Sequence, residues 1–422
     1  MQYVIIGAGP AGVTAAENLR KIDPDGVITL VGDEPEMPYS RMAIPYLLIN
    51  QIDERGTFLR KDHEHYKRSG IAIVQGKVVS VDQTEKTIGL QGGTKINYDK
   101  LLIATGSTPL APPIPGIDLP GVTSCWTLED ARHIARVAKP GSKVVLMGAG
   151  FIGCIILEAL AKSGADLTVV EMEDRMVPRM MNDIAGTMIK DWCQHNGVNV
   201  HTSTKVNSIS QDDGSLLVEL STSHKLIADM VVSATGVKPN TSALDTTDVK
   251  IEEGVLVDKA MRTSDENIFA AGDVAQAYDF STGEMSVQAI QPTAVEHGAL
   301  AAKNMAGQTQ ATHRGSVNMN VLDTLGLISS SFGLWMGVTG GDSAELLNKE
   351  RFKYINLQFQ DDILVGATSL GLTQHVGVLR GLIQSKIKLG VWKERLMKDP
   401  TRIMEAYLGA TQAIGFNADV MK

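Results

Sequence analysis

The sequence predicts an α/β protein in which one doubly wound, parallel-sheet fold is inserted into another, followed by an α+β domain with a helical tail. Three observations carry that expectation. A strand, glycine turn, helix, strand pattern occurs twice. Proline and glycine cluster where the chain passes from one copy to the other, and from about His313 the pattern changes to strands followed by helices.

The first copy opens the chain. Tyr3 to Gly7 reads as a buried apolar strand, Gly7-Ala8-Gly9-Pro10-Ala11-Gly12 as a tight turn, Val13 to Arg20 as a helix, and Val27 to Val31 as the second strand. The second copy repeats each part with strand Lys143 to Met147, turn Gly148-Ala149-Gly150-Phe151-Ile152-Gly153, helix Cys154 to Ser163 and strand Leu167 to Val170. Pro109 to Pro120 and the run Gly236-Val237-Lys238-Pro239-Asn240 mark the crossings. The expected organisation is residues 1–115 and 245–312 for the first domain, 116–244 for the second, and 313–422 for a C-terminal interface domain whose helical tail starts near 391.

In a turn of this kind the first glycine permits the tight bend, the second lets backbone approach a pyrophosphate, and the third lets helix pack close to strand. The helix N-terminus then presents unpaired N–H groups and the positive end of its dipole to the phosphates, so an anion site forms without a basic side chain. One such motif is weak; two, each strand-preceded and helix-followed, predict two Rossmann-like folds and two bound dinucleotides. In the second copy the strand runs into Glu171, with Glu173 and Asp174 behind it. Carboxylates accept from a ribose 2′-hydroxyl and repel a 2′-phosphate, which favours NAD(H) over NADP(H), with Arg175 as the counter-indication. In the first copy Asp33 and Glu34 follow Gly32; Glu34 is the expected ribose partner, and Asp33 a ribose ligand or a turn cap.

Composition narrows the function further. A formal net charge of −9, with Lys and Arg scattered among acids, leaves no footprint for a phosphate backbone, so nucleic acid is not expected as a partner. The chain opens directly on a strand, so no signal peptide is expected, and the apolar stretch Val321 to Val338, broken by Asp323, glycines and serines, is expected as core strand and turn with no membrane span. Cys125, Cys154 and Cys193 form no C-x-x-C or C-x-x-x-x-C pair, which fits buried thiols in a reducing cytoplasm and no metal site.

The chain resembles the pyridine nucleotide-disulfide oxidoreductase class of flavoproteins. Ile103-Ala104-Thr105-Gly106 and Ser233-Ala234-Thr235-Gly236 are similar to its paired A-T-G crossings, and Ile268-Phe269-Ala270-Ala271-Gly272-Asp273 to its second FAD signature. The resemblance implies FAD in the first fold and NAD(H) in the second. It implies that Asp273 bonds the ribityl chain, that Val78 meets the adenine through its backbone, and that Arg41 lies near the pyrophosphate. It also implies that the helix following Pro292 faces the flavin pyrimidine ring, with Glu296 and His297 close, where the helix N-terminus stabilises negative charge on the reduced ring. Within the class, Pro38-Tyr39-Ser40-Arg41 is similar to rubredoxin and ferredoxin reductases and to the FAD portion of NADH-dependent nitrite reductase, and Leu364-Val365-Gly366-Ala367 to their third domain, which serves as a dimer contact or partner surface.

Three departures from that class shape the chemistry. Met42 stands where related enzymes carry a redox cysteine ahead of Pro45-Tyr46, and a thioether forms no thiolate, mixed disulfide or sulfenic acid. Tyr46 and Ile155 replace a lysine and glutamate pair near the flavin and nicotinamide; losing both together avoids stranding one buried charge. Glu158 lies a turn further along and faces elsewhere on the helix. The third departure is the tail, Val391 to Met397 and Thr401 to Ala413, which packs on its own domain or meets a partner through Trp392, Leu396, Met397, Ile403 and Tyr407. His63-Glu64-His65 reads as solvated surface, since residues two apart on a helix diverge. Ser40, Thr105 and Ser107 have no histidine and carboxylate at readable spacing, which argues against a hydrolase.

The expected function is hydride exchange between NAD(H) and FAD and electron exchange between FAD and an iron–sulfur or other metalloprotein, with the flavin carrying the chemistry and no obligate acid or base. The expected setting is a hetero-oligomer or homodimer, such as the flavin subunit of a tungsten-dependent aldehyde oxidoreductase. An NADH oxidase that reduces O₂, and a subunit keeping FAD only as a folding ligand, are the rivals.

Overall fold

The two glycine-turn copies build two parallel sheets, each of five strands. The structure, a computed structural model, describes residues 1–308 and 311–420, with side chains described as far as 411. The chain folds into two units, Met1–Pro109 with Trp126–Leu128 and Val237–Ser316, and Leu110–Cys125 with Glu129–Gly236 and Val317–Lys422.

In the first unit the strand order is Ile268–Ala270, Lys100–Ile103, Gln2–Ile6, Val27–Gly32, Ile71–Gln75, with parallel neighbours throughout. The strands are continuous apolar runs because helices cover such a sheet. Val4, Ile5, Leu30, Leu101, Leu102 and Ile268 are buried in one core. The helix Pro10–Ile22 starts earlier than its apolar periodicity suggested, because Pro10 is preset for the first helical turn and needs no N–H there. It packs along the helix Gln291–Met305. Small residues set that spacing: a Cβ on Gly298 would stand 2.2 Å from the Ala11 carbonyl oxygen. Val78 begins the strand Val78–Asp82 of a separate three-stranded antiparallel sheet.

The second unit repeats the plan in the order Asn199–His201, Asp166–Val170, Lys143–Met147, Met230–Ser233, Val122–Thr123, again parallel. Its helix Phe151–Lys162 follows the second glycine turn directly. The C-terminal part is a five-stranded antiparallel sheet formed by Met319–Thr324, Leu327–Gly333, Ile363–Leu370, Lys353–Gln360 and Asp342–Asn348, followed by the helices Val376–Ser385, Val391–Lys398 and Ile403–Val420. It is tied to the nucleotide fold of the same unit: Asn182 Nδ2 donates to Tyr354 Oη at 2.6 Å, Tyr354 donates to Glu345 at 2.8 Å, and Trp192 Nε1 donates to the Leu325 carbonyl at 3.2 Å.

The tail packs on its own unit. Leu396, Ile403 and Ala406 are buried, Tyr407 lies against Gly381, and a Cβ on Gly409 would stand 2.1 Å from Trp392 Nε1. Met397 stays exposed, and the side chains of positions 412 and 413 lie outside the described residues. The last helix begins at Ile403 and not Thr401, because the Asp399 carboxylate takes both the N–H and the hydroxyl of Thr401. Among the described residues no helix is long and apolar enough to cross a membrane.

Candidate active site: two nucleotide grooves

In each parallel sheet the loops of interest leave the carboxyl ends of neighbouring strands, where doubly wound folds bind ligands. The first unit gathers Gly7 to Gly12, Gly32 to Glu34, Ala104 to Gly106 and Ala271 to Asp273 at that edge, and the second gathers Gly148 to Gly153, Glu171 to Glu173 and Ala234 to Gly236.

The glycines divide into two kinds. Gly7, at φ +113°, and Gly12 are required by the protein: a Cβ on either would stand 2.0 Å from a carbonyl oxygen, that of Ala104 or Gly7. Gly148, at φ +99°, and Gly153 meet the Ala234 and Gly148 oxygens at 2.5 and 2.2 Å in the same way. Gly9 and Gly150 differ. Their φ values, −81° and −71°, suit any residue, and a Cβ on either would meet nothing within 4 Å. No internal contact asks for glycine there, and the open backbone leaves room for a ligand to approach the main chain. Both residues are helix N-caps without a side-chain bond, and neither following first turn carries an acid. An uncapped, acid-free helix start behind an open glycine can cradle a pyrophosphate. Pro10 and Ala11 in the first fold, and Phe151 and Ile152 in the second, form those first turns.

The rest of the first groove also fits FAD. Asp273 sits in the short turn Gly272–Val274 and accepts from Ser107 Oγ at 3.2 Å. Burial raises its pKa, opposed by the Ser107 bond and the Arg41 charge, so its carboxylate is a partly satisfied acceptor of the kind a polyol chain complements. Glu34 accepts from Tyr39 Oη at 2.6 Å and from Arg41 Nη2 at 2.7 Å, while Asp33 is exposed. Thr105 Oγ1 donates to the Asn240 carbonyl at 2.6 Å, and Thr235 Oγ1 to the Leu110 carbonyl at 3.0 Å. The two A-T-G runs thus lead into a two-stranded antiparallel pair, Ser107–Pro109 with Val237–Pro239.

The helix Gln291–Met305 also starts without a side-chain cap or an acid in its first turn, and Ser40 Oγ donates to Gln291 Oε1 at 2.6 Å. His297 is turned into the interior, with only 2% of its surface exposed and its ring edge-on to His313 at 4.7 Å. Burial, and then His313, push its pKa down to about 3, with Glu296 opposing. Glu296 is more exposed, with Oε1 3.4 Å from His313 Nδ1. Tyr46 lies on the short helix Ile44–Leu48, 53% exposed; Met42 is 47% exposed, and Ile155 is half-buried.

In the second groove Glu171 has a task that the sequence did not reveal. Its carboxylate is buried and fastens the glycine turn, accepting from Ala149 N at 2.6 Å and Glu173 N at 2.9 Å. The only signal in the sequence was its place at the strand end. All three cysteines are buried, and burial pushes the Cys125 and Cys193 thiols up to about 12 and raises that of Cys154 well above its usual value. No group of three or more potential metal ligands occurs among the described residues. His65, read as solvated, is half-buried and bonds Glu17 at 2.9 Å.

Two dinucleotide folds with a second FAD signature define a class, and the comparisons agree with it. The family model described as pyridine nucleotide-disulphide oxidoreductase matches residues 1–298, and the chain belongs to that family. It is 30% identical over 413 residues to the NADH-dependent phenylglyoxylate dehydrogenase subunit epsilon of Aromatoleum evansii, covering 97% of this chain and 98% of that one. It is 35% identical over 321 residues to rhodocoxin reductase of Rhodococcus erythropolis, covering 75% and 74%. Among solved structures, the NAD-dependent persulfide reductase from A. fulgidus superposes with a TM-score of 0.85 at 28% identity, covering 93% of this chain and 78% of that one. The protein is an NAD(H)-dependent flavin oxidoreductase that binds FAD and NAD(H). When bound, the flavin supplies two-electron and one-electron chemistry, and the protein residues bind, orient and stabilise charge.

Proposed function

We propose that this chain is the NAD(H)-linked flavin subunit of a multi-subunit oxidoreductase, exchanging electrons with an iron–sulfur or other metalloprotein partner. The carrying observation is the state of the thiols. Every cysteine is buried and protonated, and exposed Met42 holds the place of the redox cysteine, so electrons have no disulfide to reach and leave through the flavin itself. Similarity along almost its whole length to a subunit of an NADH-dependent dehydrogenase supports the multi-subunit setting. An aldehyde oxidoreductase is one assembly of that kind.

FAD takes Gly7, Gly9, Gly12, Ala104, Thr105, Gly106, Gly272 and Asp273 in this proposal, and NAD takes Gly148, Gly150, Gly153, Glu171, Thr235 and Gly236. NAD is favoured over NADP because Arg175, the cation nearest in sequence to the strand-end acids, is committed: it pairs with Asp174 at 2.7 Å and Asp183 at 2.8 Å and donates to the Met181 carbonyl at 3.0 Å. We expect kcat/KM for NADH to exceed that for NADPH at least tenfold.

The test is to purify the protein from its native host with its companions, and to follow NADH consumption by the separated chain in air and with an anaerobic iron–sulfur acceptor. The proposal expects a metalloprotein companion, acceptor reduction and slow oxygen uptake. Oxygen uptake matching NADH consumption would instead make it an oxidase, and no NADH consumption would make it a structural flavin carrier.

A further inference from the structure

Arg41 is held from three sides. Glu34 Oε1 accepts from its Nη2 at 2.7 Å and the Trp126 carbonyl accepts from Nη1 at 3.2 Å. The guanidinium lies over two rings, 5.2 Å from the centre of Trp126 and 5.7 Å from that of Tyr39. Tyr39 is fixed in turn: its hydroxyl donates to Glu34 at 2.6 Å and accepts from Leu128 N at 3.3 Å. The Arg41 charge acts on the Asp273 carboxylate, the acid of the second FAD signature, and lowers its pKa against the effect of burial.

This arrangement leaves donors over. A guanidinium carries about five N–H groups in a fixed fork. Trp126 and Glu34 take one each, a 3.5 Å contact to Tyr39 Oη engages another loosely, and the others remain for an anion. Glu34 alone cannot fix the plane of the fork, because one bond leaves rotation about it. A ring face and a carbonyl from the same residue remove that freedom. Trp126 also stands out in the chain: Trp126–Leu128 belongs to the first unit, whereas Cys125 before it and Glu129 after it belong to the second.

We propose that Trp126 is a positioning residue for FAD, acting through Arg41: its ring and carbonyl, with Glu34, orient the guanidinium so that its remaining donors serve the pyrophosphate. The inference rests on FAD occupying the first groove. It goes beyond the role implied for Arg41 by naming the residue that sets the orientation on which that role depends.

The test measures the FAD dissociation constant of the apoprotein by flavin fluorescence, with the melting temperature before and after FAD, for wild type, W126L, W126F, R41Q and the double variant W126L/R41Q. We expect W126L to weaken FAD binding about tenfold and W126F to recover part of the loss, since a smaller ring face still stacks. The apoprotein melting temperature stays near wild type in W126L while the rise on adding FAD shrinks. In the R41Q background, W126L adds less than about twofold, because the group it positions has gone. Unchanged FAD affinity in W126L, or losses that multiply in the double variant, would overturn the proposal. So would equal falls of the apo and FAD-loaded melting temperatures, the signature of a merely structural tryptophan. Should W126L fail to fold, the W126F and W126F/R41Q pair decides by the same criteria. A wild-type chain that takes up no FAD overturns the cofactor assignment itself, a different failure from a wild type that binds and a W126L that binds equally well.

Discussion

Within each glycine turn, adjacent residues of one type do different work, and the difference is measurable. Gly12 is glycine for the protein's sake, whereas no contact within the protein asks for glycine at position 9, which we assign to the ligand. Gly12→Ala should cost about 3 kcal/mol of apoprotein stability, because its Cβ collides with backbone that cannot yield, and chemical denaturation checks it. Gly9→Ala should leave apoprotein stability within about 0.5 kcal/mol and weaken FAD at least tenfold by filling the approach to the main chain. A stability loss in Gly9→Ala as large as that in Gly12→Ala would contradict the distinction. His297 offers a second test. Its pKa falls from 6.5 to about 3 on folding, so between those values the unfolded chain binds a proton that the folded chain refuses. Its contribution is complete above pH 6.5 and is lost as pH falls towards 3. His297→Gln should therefore flatten the stability profile in that window, by up to about 1.4 kcal/mol per pH unit, as seen in denaturation midpoints of the two proteins. The need for glycine at Gly7 and Gly12 was legible because it follows from local turn geometry. The ties among Glu34, Arg41 and Trp126 were not, because nothing local joins position 41 to position 126.

Elements position these residues, and here periodicity was a good guide to existence and a weaker one to ends. Both fingerprint helices were visible in their apolar spacing, yet each starts earlier than expected, at Pro10 and Phe151, because the glycine turn runs straight into helix. The close approach of Pro10–Ile22 to Gln291–Met305 left a sequence trace only as small residues, which also occur in plain helices. Gly298→Ala puts a Cβ 2.2 Å from the Ala11 oxygen and must move two helices whose first turns both lie close to Gly272. It should lower apoprotein stability by about 1–3 kcal/mol and weaken FAD as well. Loss of stability with FAD affinity intact would show that helix spacing and cofactor binding are independent.

For the whole molecule, the repeated strand, turn and helix announced two dinucleotide folds, and sheet order and family bear this out. The insertion was legible because proline and glycine mark both crossings. The return of Trp126–Leu128 to the first unit was not, since a three-residue excursion leaves no periodicity to read. The redox partner is illegible for another reason: partner choice resides in surface complementarity, which no spacing rule encodes. The central claim is that this chain moves hydride between NAD(H) and its own flavin. The most direct measurement is anaerobic stopped-flow mixing of the FAD-loaded chain with NADH while flavin absorbance is followed. The account predicts that the oxidised flavin band bleaches on a stoichiometric addition; a band that persists at saturating NADH would contradict it.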